Sequence, residues 1–304
     1  MRKNIYTIIF TALLIGLCTM FSCCSKDPIL KQGDYIYENN DLTKVDYVNG
    51  IIIHWADDID ISEEQKAVIR NLMANLVRVE GGSYMMGAQN TNAQGDCYDE
   101  DALDDESPVH QVTLMNFLIG KYEITQKEWH TIVGHDLDWS ELYGKGDDFP
   151  AYNVSQAEAL QFVERLNVMT RLSFNLPTEA QWEFAAKGGH KSQHYRFSGN
   201  NEVDEVAWHK NNTSGRLHPI GEKQANELGL YDMSGNLWEW CLDAYGPYPD
   251  ATQTEPISDE GNRFILRGGA WTFLPTYCRV TARNSYSSDN HSISNGFRII
   301  LRDK

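Results

Sequence analysis

The residues in the body of the chain whose types best suit them to chemistry are three cysteines, Cys97, Cys241 and Cys278. A thiolate is both a nucleophile and a soft metal ligand. In an oxidising compartment an odd count allows at most one disulfide, with Cys241 and Cys278 one way to form it, and leaves a thiol over. That thiol is either functional or a buried, inert core residue. Other signatures are missing: the chain has no G-x-S-x-G, H-E-x-x-H, C-x-x-C or phosphate-loop pattern. His190 and His194 are spaced i, i+4, but Gly-Gly-His-Lys-Ser-Gln-His reads as a polar loop and not as a metal-binding helix face. His209 and His218 flank an Asn-rich turn and read as hydrogen-bonding loop residues. Seven carboxylates between Asp96 and Glu106 read as a solvated loop, because the glycine spacing of a calcium loop is absent.

Charge and address narrow the function classes. The 304 residues carry 26 Lys plus Arg against 43 Asp plus Glu, a formal charge of -17 that offers phosphates no cationic field and disfavours nucleic acid as a partner. With 41% hydrophobic and 11% aromatic residues the chain can bury a sizeable core. Residues 1–22 read as an export signal, with Arg2 and Lys3 before an apolar run from Ile5 to Phe21. The run ends in Met20-Phe21-Ser22-Cys23-Cys24, which resembles a lipobox and implies acylation of Cys23, with Cys24 the alternative acceptor and a plain cleaved signal the bland one. Loss of Arg2 and Lys3 on cleavage takes the formal charge from -17 to -19. Acyl chains would tether the protein to membrane lipid without crossing it. The expected product is an exported, membrane-anchored lipoprotein, placed at the outer membrane of a Gram-negative bacterium.

The elements that must position the cysteines are few. Residues 23–61 read as a tether with a small strand-bearing extension that includes Ile51-Ile52-Ile53, and residues 62–304 as one domain with a leading helix. Ser62 with Gln65 has capping-box spacing and opens a helix to about Asn75. The same logic starts helices at Thr125 with Glu128, at Ser155 with Glu158, and at Thr178 with Gln181. The second of these carries Ala159, Phe162, Val163 and Leu166 as an inward stripe and runs to about Thr170, and the third ends at Gly188-Gly189. Residues 77–86 read as strand, turn and strand, and 109–124 alternates like a sheet with one wet face. Few helices over an irregular, Gly- and Trp-rich body indicate an α+β domain.

One constellation goes further. Asn226-Glu227-Leu228-Gly229-Leu230-Tyr231-Asp232-Met233-Ser234-Gly235-Asn236-Leu237-Trp238-Glu239-Trp240, then Arg267-Gly268-Gly269-Ala270-Trp271 and Asn295-Gly296-Phe297-Arg298, closely resembles the formylglycine-generating enzyme, or sulfatase-modifying factor, family. Upstream, residues 79–87, Tyr122-Glu123-Ile124-Thr125 and Leu176-Pro177-Thr178-Glu179-Ala180-Gln181-Trp182-Glu183 match in order, so the resemblance spans about Leu76 to Arg302. It implies a complex C-type-lectin-like fold with much irregular loop and structural calcium. The calcium would be held by Glu239 and backbone carbonyls of Ser234, Gly235 and Leu237, unless Glu239 merely caps a turn between two indoles. Asn211 and Asn212 fall near a second family site without matching its ligands.

In active members two cysteines, five residues apart and downstream of Arg-Gly-Gly, bind copper(I), activate oxygen and oxidise a substrate Cys to formylglycine. Counted from Arg267, the second falls on Cys278 and the first on Phe273, while the nearby serine falls on Ala270. One thiolate leaves copper(I) short of a ligand, and neither Thr272 nor Tyr277 is a soft replacement. Cys241 is a rescuing thiol only if the fold brings it beside Cys278. Trp240 and Asn295 match positions lining the family's substrate groove. The expectation is a scaffold without its copper pair that binds or assembles a protein or glycan ligand, with a formylglycine-generating oxidase, Cys278 then catalytic, as the alternative. A third reading concerns residues 284–295: Asn, Ser, Tyr, Asp, His and Ile are all reached from one Asn codon by changing adenines, as in retroelement-diversified ligand-binding proteins.

Overall fold

The computed structural model of the protein describes residues 45–302, so the expected export signal and Cys23 lie outside the described residues. Its first element is a hairpin of β1 (Val45–Val48) and β2 (Ile51–His54), closed by Asn49 and Gly50 at φ 53° and 78°. An Asn-Gly pair with both φ positive matches the right-handed twist of the flanking strands. This extension belongs to the main core: Asn49 donates to the carbonyls of Met73 and Leu76, and Ile53, Trp55 and Ile61 are buried with the helices that follow.

The four capping boxes form as their spacing predicts. They open α1 (Glu63–Ala74), α2 (Gln126–Val133), α3 (Gln156–Thr170) and α4 (Glu179–Ala186), each with a side chain accepting from the N3 amide and the N3 side chain reaching back. The inward stripe of α3 is buried as expected. Gly134, at φ 90°, ends α2 in the left-handed conformation.

Three sheets carry the rest. One orders β3 (Leu76–Val79), β6 (Phe117–Gly120), β13 (Ile300–Arg302) and β7 (Phe174–Asn175), antiparallel throughout. A second pairs β4 (Ser83–Met86) antiparallel with β5 (His110–Thr113), and β5 parallel with β9 (Gln253–Thr254). The third orders β11 (Arg283–Tyr286), β10 (Phe264–Arg267), β8 (Trp238–Ala244) and β12 (Asn295–Gly296). Alternation holds in β5 but fails in β6, where Phe117, Leu118 and Ile119 are all buried. A central strand covered on both faces has no wet side. Packing of α4 against β8 and β10 joins helix and sheet, as an α+β fold requires.

Candidate functional site

The segments that carry the family resemblance are wired to one another by buried guanidinium–carboxylate pairs. Arg267 of β10 reaches Glu183 at 2.5 Å and Glu179 at 3.1 Å on α4, and Arg283 of β11 grips Glu179 at 2.6 and 3.0 Å. Arg298 holds Glu239 of β8 at 2.5 and 2.6 Å, while Trp182 Nε1 donates to the same carboxylate at 2.7 Å. Arg279 takes Glu106 at 2.6 and 2.7 Å. The acidic loop is therefore not simply solvated: Glu106 is fully buried, Asp99 and Asp101 pair with Arg196, and Asp105 accepts from Tyr245. These bidentate bonds are short and charge-assisted, and they pin loops that lack regular structure.

Glu239 and the carbonyls of Ser234, Gly235 and Leu237 were expected to hold calcium. Both oxygens of Glu239 already accept donors from Arg298 and Trp182, so this carboxylate is not the free hard ligand the sequence suggested. The free acceptor is Oδ1 of Asp232, buried and without a partner, while its Oδ2 accepts from the Gly221 amide at 2.7 Å. Glu123 accepts from the Leu237 amide at 3.0 Å and from Asn236 Nδ2 at 2.7 Å. Burial, then the charges of Asp232 and Glu239, hold Glu123 well above the usual carboxylate range, and burial pushes Asp232 up to about 6. Three buried carboxylates thus lie in the field of the Arg298 guanidinium, which hydrogen-bonds Glu239 alone of the three. Oδ1 of Asp232 is an orphaned buried oxygen among repelling carboxylates. The sequence did not single out Asp232, which opens the Asp-x-Ser-Gly-Asn turn at φ 57°.

The surroundings of Cys278 decide the copper question. Its thiol is wholly buried among Phe197, Val206 and Ala207, and burial alone pushes it up to about 12. No charge or metal-binding partner favours the thiolate, and among the described residues no three His, Cys, Asp or Glu side chains converge as a metal-binding group. Gly269, at φ 78°, packs so closely that a Cβ there would lie 2.9 Å from Cys278 Sγ. Phe273, the residue at the sequence position of the first cysteine, lies edge-on to Trp238 at 5.5 Å and to Tyr277 at 5.6 Å. Ala270 is buried, and the Thr272 hydroxyl is bonded to that of Ser294 at 2.6 Å. Cys241 is also a free thiol, in a different core cluster, with Sγ directed to the Glu239 carbonyl. The suggested disulfide with Cys278 is therefore not formed, and the rescuing thiol is not in place. The residues present do not fit copper(I).

Trp240 and Asn295 are not where a substrate groove needs them. Both are wholly buried: Trp240 Nε1 donates to the Val154 carbonyl at 2.8 Å, and Asn295 pairs with Trp238 in the sheet with its Oδ1 unpartnered. Within residues 284–295, Ser285 is held by Arg263, and Ser285, Ser294 and Asn295 are buried, leaving Ser287, Asp289 and His291 exposed. Sequence reading placed the loop histidines well, with His209 Nε2 at 2.8 Å from Asp204 and His218 Nδ1 at 3.1 Å from Glu222.

Comparison with known proteins identifies the family and the fold. The family model described as sulfatase-modifying factor enzyme 1-like domain matches residues 62–303. "Chaperone protein LppX" of Paenibacillus barcinonensis is 28% identical over 62% of this chain and 81% of its own length. The formylglycine-generating enzyme of Streptomyces coelicolor is 29% identical over 73% of this chain and 87% of its own. "Inactive C-alpha-formylglycine-generating enzyme 2" of Bos taurus is 25% identical over 74% and 87%. Among solved structures, Treponema denticola variable protein 1 shares the fold with a TM-score of 0.66 at 24% identity, over 86% of this chain and 99% of that one. PvdO from Pseudomonas aeruginosa does so with a TM-score of 0.62 at 22% identity, over 75% and 94%. The chain belongs to the sulfatase-modifying factor enzyme 1-like family.

Proposed function

We propose that the protein is a lipid-anchored, extracytoplasmic member of the family that has kept the scaffold, lost the copper pair, and serves as a binding or assembly module for a protein or glycan ligand. The observation that carries this reading is Cys278, a single thiol sealed in an apolar wall of Phe197, Val206 and Ala207, while the position five residues before it, where the family's first cysteine would fall, is Phe273. An apolar site without a second thiolate raises the cost of forming the first, so both the metal and the substrate thiol lose their anchor. Two relatives point the same way by name, one a chaperone and one an inactive enzyme. Anchoring rests on Cys23, with the outer membrane of a Gram-negative bacterium as the placement. The test is a sulfatase-motif peptide incubated with protein, copper and oxygen: its Cys stays a thiol under this proposal, and aldehyde at the rate of an active relative overturns it.

Calcium belongs to the same proposal as a structural pin, held by Asp232 and the carbonyls of the turn that contains Ser234, Gly235 and Leu237. Its contribution is to offset carboxylate repulsion and the ordering entropy of the loops. Calcium should raise the melting temperature of chelator-treated protein by several degrees, as expected for a ligand that binds only the native state. Asp232→Asn should remove that response.

A further inference from the structure

A cavity of about 360 Å³ lies beneath the loop that links β8 to β10, between α4 and strand β5. It shares no lining residue with the surroundings of Cys278, so its chemistry is independent of whether the chain oxidises thiols. Its polar wall holds His110, Asp243, Glu179 and Arg283, and its lip carries the exposed Asp259 and Glu260.

The hydrogen bonds already made around this cavity define what it has left to offer. His110 is only 4% exposed, and its Nδ1 lies 3.0 Å from the Pro108 carbonyl, which can only accept. Nδ1 therefore carries the proton, and Nε2 presents a lone pair that is buried and has no partner. A tilted contact of 4.9 Å with the Tyr248 ring holds the imidazole in place. Glu179 is spent on Arg267, Arg283 and the Tyr248 hydroxyl. Arg283 is spent as well, on Glu179 and on the carbonyls of Asp105 and Gly246, so the wall's one guanidinium is committed and an anion would find no free receptor. Asp243 accepts one backbone amide on each oxygen, from Glu179 at 2.7 Å and Ser258 at 3.1 Å, and keeps acceptor capacity on both. Burial, then the charge of Glu179, pushes it up to about 7, the direction of a carboxylate that lacks a cation.

The cavity thus displays acceptors and negative charge, with Met86, Pro247, Tyr248, Pro249 and Ile257 as walls suited to methylenes. Its volume falls at the lower end of the range for small-ligand sites. We propose that this cavity binds an alkylammonium group on an aliphatic stem, with His110 Nε2 accepting from the ammonium and Asp243, Asp259 and Glu260 supplying the counter-charge. The group would come from a lysine side chain of a partner protein or from a free amine.

The test is calorimetric titration of the folded protein at pH 7.5 with n-pentylamine, and with n-pentanol and pentanoate as neutral and anionic controls of the same length. The ammonium should bind and the controls should not, and the imidazole nitrogen resonance of His110 Nε2 should shift on addition. His110→Phe should weaken binding about tenfold, the worth of a hydrogen bond to a charged group. Should that variant melt, the exposed pair Asp259→Asn/Glu260→Gln gives the decision, with weaker binding at low salt expected. Binding of N-acetyl-lysine methylamide as tightly as pentylamine would assign the site to a protein lysine, and binding of pentylamine alone would assign it to a free amine. No binding, equal binding of the controls, or wild-type affinity in both folded variants would overturn the proposal.

Discussion

A thiol pushed up to about 12 by burial, as Cys278 is, is almost entirely protonated at neutral pH. The expected consequence is chemical silence. In native protein at pH 8, Cys241 and Cys278 should resist iodoacetamide while the half-buried Cys97 reacts, with peptide mapping after quenching as the readout. Asp243 makes a second prediction at this scale. Its folded value, raised to about 7 by burial and by Glu179, lies above the unfolded carboxylate value, so the folded state holds a proton that the unfolded state has lost. The stability tied to it is present below about pH 4 and is lost as pH rises through about 7. Asp243→Asn should flatten the fall in melting temperature across that window, with a constant offset downward because one of the two backbone amides that Asp243 accepts would face a side-chain NH2. The position of Phe273 was legible in the sequence because it needs only counting from Arg267. The burial of Trp240 and Asn295 was not, because a motif match gives the residue and not the direction in which its side chain points.

At the scale of elements, legibility followed sequence separation. Ser62, Thr125, Ser155 and Thr178 cap helices through contacts three residues away, so four letters suffice to read each one. Ser155→Ala should cost about 1 kcal/mol, measured by urea denaturation, because the first-turn amide it serves loses its acceptor. The tight 3₁₀ turn Pro275–Cys278 carries a tertiary constraint instead. Gly269 sits against it at φ 78°, where a Cβ would lie only 2.6 Å from the Tyr277 carbonyl, so any side chain there meets both backbone strain and a clash. Strand β6 resisted reading for a related reason. Its one-sided alternation is erased by neighbours from β3 and β13 and by cover on both faces, information that lies far along the chain.

Across the whole molecule the fold class was legible, since ordered motifs and sparse capped helices both led to an α+β body, but the pins were not. Sequence reasoning looked for calcium to hold the irregular loops, and the structure holds them first with Arg267, Arg279, Arg283 and Arg298, each buried against a carboxylate from a distant segment. Such pairs have no local signal, because Glu106 and Arg279 lie 173 residues apart. Breaking one strands a buried charge: Arg298→Met should destabilise by about 3–5 kcal/mol in denaturant titration, and adding Glu239→Gln should recover part of that loss. The proposed loss of oxidase chemistry rests on the lack, among the described residues, of a second thiol paired with Cys278. The most direct measurement is anaerobic titration of copper(I) against a chromogenic chelator in the presence of the mature protein. The chelator should retain the metal, and Cys278→Ser should give the same curve; one tightly held copper(I) per chain, released by that substitution, would contradict a scaffold without its copper pair.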